Sequence, residues 1–177
     1  NQKTAYNIHF KAASETLQEL SDDPKHLGAR IGFIGILHTW SQTLIHHPHI
    51  HFIVPGGGLS PDSTKWISCK KDFFIRVEVL SKLFRGKYLY YLKKAYYAGE
   101  LKFPGLIKNL KGKRYFEEFC SGLYSREWVV DSRPSFKTSE DVIDYLGRYT
   151  HRVAITNVRI VGMECDRVIF KYRDRRD

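Results

Sequence analysis

Residues 31–54, IGFIGILHTWSQTLIHHPHIHFIV, contain two apolar, β-rich runs joined by a short connection. The first run is IGFIGILHTW and the second is HIHFIV, and runs of this length and composition predict strands. Because the connection SQTLIHHP is short, we expect the two strands to pair antiparallel. Helical patterns occur on both sides of this segment in the chain. The sequence therefore predicts an α+β fold, in which an antiparallel β-sheet is flanked by helices.

The remaining elements follow from hydrophobic periodicity and from turn residues. Apolar residues at helical spacing predict three helices, at residues 4–20, 74–98 and 138–152, the last with Thr138 or Ser139 as its N-cap. Shorter β-rich runs predict strands at KWISC (65–69), at EWVVDS (127–132) and, as a pair, within residues 153–173. The glycine run at 56–58 is interpreted as a turn that needs positive φ, or as a close approach of DNA to the backbone.

The charge balance indicates a polyanionic partner. The 177 residues include 29 Lys and Arg against 19 Asp and Glu, a formal net charge of +10, and such an excess favours nucleic acid. The candidate DNA-backbone contacts are Lys93 and Lys94 on the second helix, and Lys111, Lys113 and Arg114 after it. Four tyrosines on that helix (Tyr88, Tyr91, Tyr96, Tyr97) are interpreted as packing positions or base-stacking platforms.

Cysteine content and hydropathy narrow the class of protein further. The three cysteines lie far apart and form no CxxC pair, which argues against a disulfide framework and a cysteine zinc site and fits a reducing cytoplasm. No run of about 18 apolar residues is present, so no membrane span is expected. The chain length fits one domain with a sizeable core.

Four histidines fall within residues 46–51, HHPHIH. His49 and His51 are two apart on a predicted strand, so both side chains point to one face and can bind one divalent ion. His38, near the end of the partner strand, can reach the same ion if the strands form a hairpin. His46 and His47 are interpreted as flanking residues or DNA contacts. A hydrogen-bonded structural histidine remains the alternative for each of them.

Tyr145 and Tyr149, in DYLGRYTHR, are four residues apart and share one face of the predicted helix. A phenol oxygen can attack phosphorus and form a covalent intermediate, so the pair are candidate nucleophiles. Arg148 and Arg152 lie on a neighbouring face and could offset phosphate charge. Taken alone, a tyrosine pair of this spacing more often marks the core face of an amphipathic helix.

The two motifs in combination, HPHIH followed about ninety residues later by YLGRYTHR, resemble the HUH endonucleases, in which a His-hydrophobe-His pair holds a metal and a helix-borne tyrosine cuts single-stranded DNA. LGARIGFIGILHTWSQTLIHHPHIHFIVPGGGLSPD, FPG and DYLGRYTHRVAITNVRI are similar, more closely, to the two-tyrosine rolling-circle transposases of the insertion sequence 91 group. The similarity runs from about residue 6 to residue 174.

This resemblance implies a catalytic domain over residues 1–177 with an HUH-like antiparallel sheet that carries the histidines on a central strand. It implies Tyr145 and Tyr149 as nucleophiles that form 5′-phosphotyrosine, His49 and His51 as metal ligands, His38 as a less secure third ligand, and Mg²⁺ or Mn²⁺ as the ion. The implied partner is single-stranded DNA at transposon ends and target, in the bacterial cytoplasm.

Members of that group also carry an N-terminal cysteine-rich zinc segment, which this sequence lacks, so we expect it to be a domain of a longer protein. Three alternatives stay open on the sequence. One is a plasmid relaxase or replication initiator, one is a hydrolase that activates water with the same histidines, and one is a DNA-binding module with a decayed site.

Overall fold

The computed structural model of the chain describes residues 1–41, 43–70, 74–150 (148–150 as main chain only) and 155–172. Its elements in chain order are α1 (Gln2–Asp22), β1 (Ile34–Trp40), β2 (His46–Ile53), β3 (Gly57–Leu59), β4 (Trp66–Ser68), α2 (Val77–Tyr97), a 3-10 helix (Gly105–Lys111), α3 (Lys113–Tyr124), α4 (Ser139–Thr150), a second 3-10 helix (Asn157–Arg159), β5 (Ile160–Glu164) and β6 (Arg167–Phe170). The predicted α+β class is confirmed.

Within the described residues the strands form three two-stranded ladders, β1–β2, β3–β4 and β5–β6. The connection of β1 to β2 is far too short for a parallel crossover, so the predicted hairpin forms. β3 and β4 pair antiparallel with Gly58 opposite Ile67, and β5 and β6 with Met163 opposite Val168. β2 begins three residues before the predicted strand and includes Pro48.

The glycine run is part of a strand, and the turn interpretation is wrong for Gly57 and Gly58. Both glycines lie in β3, and neither has positive φ. A Cβ at Gly58 would collide with the main chain of Arg30, which forms a β-bridge with Leu59. Glycine is needed there because the chain's own backbone approaches closely.

The strand predicted at EWVVDS is also wrong, since residues 127–132 have no regular secondary structure. The main-chain carbonyl of Trp128 accepts a hydrogen bond of 2.5 Å from Ser81 Oγ. The indole ring of Trp128 contacts the rings of Phe84 and Tyr88, at 5.4 and 5.1 Å between centroids. Trp128 therefore anchors this segment to α2 through side-chain packing, and no strand ladder is involved.

The described chain divides into two compact units. The first comprises Asn1–Ile34 and Ile53–Ser135, and the second comprises Gly35–Phe52 and Phe136–Asp177. The prediction of one catalytic domain over residues 1–177 stays a prediction. No helix in the described ranges is long and apolar enough to cross a bilayer.

The core of the first unit lies between α1 and α2. Helical spacing places Ile8, Ala12 and Leu20 of α1 on one face, and these residues bury against α2, whose own buried positions include Leu80 and Leu89. Such burial of apolar area is the main stabilising contribution to a helix pair.

The 3-10 helix and α3 were not predicted from the sequence. In α3, Phe116 and Cys120 are buried at i, i+4 spacing, and the Phe116 ring stacks on Tyr96 of α2 at 3.8 Å between centroids. The spacing of Phe116 and Cys120 is typical of a helix, but the prediction for this segment used only its basic residues, as DNA contacts.

A polar network also joins α1 to α2. Tyr91 donates a hydrogen bond of 2.5 Å to Glu15, and Lys87 forms an ion pair of 2.7 Å with Glu19. The hydrogen bond to Glu15, together with desolvation and the negative charge of Glu15, raises the pKa of Tyr91 from its ordinary value of 10 to about 12.

We expect the stabilising effect of this network to be lost at high pH. A raised pKa means that folding favours the neutral phenol, so the contribution is present below pH of about 10 and disappears as pH rises through about 12. The difference in Tm between the unsubstituted protein and Tyr91→Phe should therefore shrink between pH values of about 10 and 12. A constant difference for Tyr91→Phe would contradict the assignment.

Candidate active site

The β1–β2 hairpin brings three histidines together in the second unit. His38 lies on β1, and His49 and His51 lie on one face of β2. The ring centroids are 5.4 Å apart for His38 and His49, and 4.8 Å apart for each of the other two pairs. One ring nitrogen from each residue lies within 4.8 Å of the other two. His38 is 4 % exposed, and the other two are half-buried.

The chemistry of this donor set fits a divalent cation. His49 Nδ1 lies 2.7 Å from the His47 carbonyl oxygen; when Nδ1 donates to that oxygen, Nε2 carries the lone pair that a metal requires. Three neutral imidazoles with room for further ligands are typical of catalytic metal sites. Imidazole nitrogens suit Zn²⁺ and other late transition metals best, whereas Mg²⁺ and Mn²⁺ prefer oxygen ligands, which water and phosphate would have to supply.

His38 is held against a second aromatic ring on its own strand. The Trp40 indole is nearly parallel to the imidazole, with 6.1 Å between centroids and 11° between planes. His38 therefore contacts Trp40 as well as both histidines of β2, and it is the most buried of the three histidines. His46 and His47 are exposed at the start of β2.

Helix α4 places Tyr145 beside the histidines. The Tyr145 hydroxyl and His51 Nδ1 are hydrogen-bonded at 3.1 Å, and the Phe136 ring contacts the Tyr145 ring at 5.2 Å between centroids. A capping box fixes the start of α4. The Asp141 amide donates to Thr138 Oγ1, and the Thr138 amide donates to Asp141 Oδ2, both at 3.1 Å. Thr138 is thus the N-cap.

The other predicted site residues are distributed as follows. Arg148 and Tyr149 lie in the last turn of α4, where the main chain alone is described, and Arg152 lies outside the described residues. The five lysines and arginines proposed from the sequence as DNA contacts belong to the first unit: Lys93 and Lys94 on α2, Lys111 at the end of the 3-10 helix, and Lys113 and Arg114 at the start of α3.

Two of these basic residues have acidic partners. Lys93 Nζ forms an ion pair of 2.5 Å with Glu117, and Arg114 Nε forms one of 3.0 Å with Glu118. The hydrogen bond to Glu117 raises the pKa of Lys93. Lys94 is exposed, and the roles of all five in DNA binding stay predictions.

Sequence reasoning missed Phe136 and Trp40. Neither belongs to a motif, and their importance comes from ring contacts with Tyr145 and His38. For Trp40, its position two residues after His38 on the same strand face could have indicated the contact. For Phe136, no local pattern predicts a contact with a residue nine positions later.

Comparison with known proteins identifies the family to which the chain belongs. Residues 32–177 match the model of the family Y2_Tnp, described as "Putative transposase". The chain belongs to this transposase family, and the predicted membership of the insertion sequence 91 group is confirmed.

Two relatives are transposases by name. "Putative transposase y4qJ" of Sinorhizobium fredii is 49 % identical over 176 residues, covering 99 % of this chain and 44 % of the relative. The "Transposase for insertion sequence element IS801" of Pseudomonas savastanoi pv. phaseolicola is 26 % identical over 157 residues, covering 86 % of this chain and 36 % of the relative. The chain thus spans less than half the length of either. No solved structure matches the chain significantly.

Proposed function

We propose that this chain carries the catalytic site of a transposase that cuts and rejoins single-stranded DNA through a tyrosine. The observation that carries the proposal is the hydrogen bond of 3.1 Å between the Tyr145 hydroxyl and His51, at the edge of a cluster of three potential metal ligands. A nucleophile next to a cation site is the arrangement that attack on a phosphodiester requires.

In the proposed reaction, Tyr145 Oη loses its proton to solvent and forms a bond to the scissile phosphorus as the bond from phosphorus to the 3′ oxygen breaks, and the 3′ oxygen takes up a proton from solvent. The products are a 5′-phosphotyrosine and a free 3′-OH, and the reverse attack by a 3′-OH rejoins DNA. A divalent cation held by His38, His49 and His51 would offset negative charge on the phosphate oxygens. We propose Mg²⁺ or Mn²⁺ for this position, with water and phosphate oxygens supplying the ligands that the three histidines do not.

The residues of the chain prepare the nucleophile. When His51 Nε2 is the metal donor, its Nδ1 carries a proton and donates to Tyr145 Oη. That hydrogen bond orients the oxygen and stabilises the negative charge that a departing phenolic proton leaves on it. The Phe136 ring contacts the phenol ring edge-on, which restricts the rotation of the Tyr145 side chain.

The charge and the relatives support the DNA partner. The net charge of +10 favours binding to a polyanion, and both named relatives are transposases. Specificity for single strands, transposon ends as substrate, and activity in a bacterial cytoplasm are parts of the proposal.

The proposal is tested with labelled single-stranded DNA, Mn²⁺ and the protein on a denaturing gel. The DNA should contain element ends or a library of sequences. We expect a shifted, protease-sensitive band that the double variant Tyr145→Phe/Tyr149→Phe lacks, and mass spectrometry should locate the phosphate on a tyrosine of α4. Cleavage by the double variant without a covalent band would overturn the proposal in favour of a hydrolase that activates water.

Phe136 is expected to position Tyr145. Phe136→Ala should slow covalent joining by about 10- to 100-fold, because loss of the ring contact lets the nucleophile leave its attacking position. The affinity for DNA should stay within about twofold, since Phe136 offers no charge to phosphate. Phe136→Leu should recover part of the rate, and Phe119→Ala, at a similarly exposed position of α3, should leave it unchanged. An equal loss of rate and affinity would argue against a positioning role.

A further inference from the structure

The first unit carries an open groove along α2, with a volume of about 890 Å³. Its floor is a stripe of α2 residues at helical spacing, Val79, Leu83, Gly86 and Tyr90. Its sides are formed by the end of α1 and by Tyr124 at the end of α3. All lining residues belong to the first unit, whereas the histidines and Tyr145 belong to the second.

Two tyrosine rings in this groove are available for stacking. Tyr90 is 62 % exposed and Tyr124 is 51 % exposed. The Arg85 guanidinium lies over the Tyr124 ring at 4.6 Å from its centroid, and a hydrogen bond of 2.6 Å to the Arg126 carbonyl oxygen holds it there. An aromatic ring supported by arginine is a typical platform for the bases of single-stranded nucleic acid.

Gly86 contributes no side chain to the groove floor. It lies in the interior of α2, and a Cβ at this position would meet no atom of the described chain within 4 Å. A larger side chain at this position would therefore project into the groove.

The charged residues that line the groove are two acids and two lysines. Glu19 pairs with Lys87 at 2.7 Å, and Glu78 pairs at 3.6 Å with Arg76, which lies outside the groove lining. Lys82 forms no ion pair within the described residues, so its ammonium group can contact a phosphate. The groove thus combines stacking rings with one lysine that has no acidic partner in the described part of the chain.

We propose that this groove is a second binding site for single-stranded DNA, with Tyr90 and Tyr124 stacking on bases and Lys82 contacting a phosphate. Stacking on both rings requires unpaired bases, which a duplex does not offer. The inference rests on the proposed function in one respect only, that single-stranded DNA is the substrate. It adds a binding site made of first-unit residues to the cutting site proposed in the second unit.

The test measures affinity for a fluorescent oligothymidylate by anisotropy, in EDTA and with the Tyr145→Phe variant as the starting protein, so that no cutting occurs. Tyr90→Ala and Tyr124→Ala should each weaken binding by about tenfold, the size expected for loss of one stacked base. Tyr124→Phe should bind within about twofold of the starting protein because the ring remains. Tyr115→Ala, at a tyrosine that is 56 % exposed outside the groove, is the matched control and should have no effect.

Two further measurements separate stacking from unfolding and from simple charge attraction. Gly86→Leu should weaken binding by about tenfold although leucine favours the helix and should not lower the Tm. An abasic oligonucleotide of equal length should bind the starting protein more weakly than oligothymidylate does. Its affinity should be the same for the starting protein and for the tyrosine variants. Photocrosslinking with iodouracil DNA should label peptides that contain Tyr90 or Tyr124.

Unchanged affinity in Tyr90→Ala, Tyr124→Ala and Gly86→Leu, or equal losses with abasic DNA, would overturn the inference. The outcome is independent of the proposed chemistry, which the covalent band tests separately. Loss of affinity in the groove variants together with no covalent band from active protein would retain the groove and reject the tyrosine mechanism. A covalent band from active protein together with unchanged affinity in the groove variants would retain the tyrosine mechanism and reject the groove as a binding site.

Discussion

Replacement of Tyr145 by phenylalanine is expected to lower the rate of covalent joining to single-stranded DNA by at least about 1,000-fold. The substitution removes the attacking oxygen and its hydrogen bond to His51, while the ring contact with Phe136 remains possible. The rate is measured from the appearance of the protease-sensitive band over time, with Mn²⁺ in excess.

The same variant should keep its Tm and its affinity for DNA within about twofold, because the hydroxyl contributes little to phosphate binding. Tyr115→Phe is the matched control, since it removes a hydroxyl from an exposed tyrosine of α3. A normal rate in Tyr145→Phe with loss of the band in Tyr149→Phe would show that the other tyrosine is the nucleophile in the first cut.

Replacement of His49 by alanine is expected to weaken Mn²⁺ binding by at least about 100-fold. Loss of an outer-shell partner alone typically lowers metal affinity 10- to 100-fold, and this substitution removes a direct donor from a set of three. The affinity is measured by electron paramagnetic resonance of free Mn²⁺ or by calorimetry, in the absence of DNA.

Covalent joining should fall in parallel at low Mn²⁺ and recover partly at high Mn²⁺, as mass action requires. His26→Ala, at an exposed histidine of the first unit, should leave both quantities unchanged. Competition with Zn²⁺ and Mg²⁺ then ranks the ions at the site. Equal Mn²⁺ affinity in His49→Ala and the unsubstituted protein would show that the cluster is not a metal site.

Sequence periodicity was sufficient to place the histidines. The two-residue repeat of a strand puts His49 and His51 on one face, and a short connection makes the hairpin that brings in His38. Both features depend on local geometry, which the chain encodes within about fifteen residues. The helix that carries Tyr145 could be predicted equally well from the sequence, because its capping box and its apolar periodicity are also local features.

Features that depend on distant packing could not be predicted in this way. The segment 127–132 has the composition of a strand, but Trp128 packs on rings of α2 and its carbonyl is bound by a side chain. Tyr96 was interpreted as a packing position or a base-stacking platform, and its ring packs by stacking on the ring of Phe116. The exposed rings that line the α2 groove are Tyr90 and Tyr124, and they line one groove only because three helices pack together.

The capped helix α4 also sets a step length for any reaction that uses both tyrosines. Residues 145 and 149 are separated by one helical turn, a rise of about 6 Å along the axis. His51 Nδ1 is a single atom, and Tyr145 is hydrogen-bonded to it. In the proposed reaction, a strand attached through residue 149 would therefore start about 6 Å further along the helix axis than a strand attached through residue 145. Use of both tyrosines would then displace the point of DNA attachment along that axis.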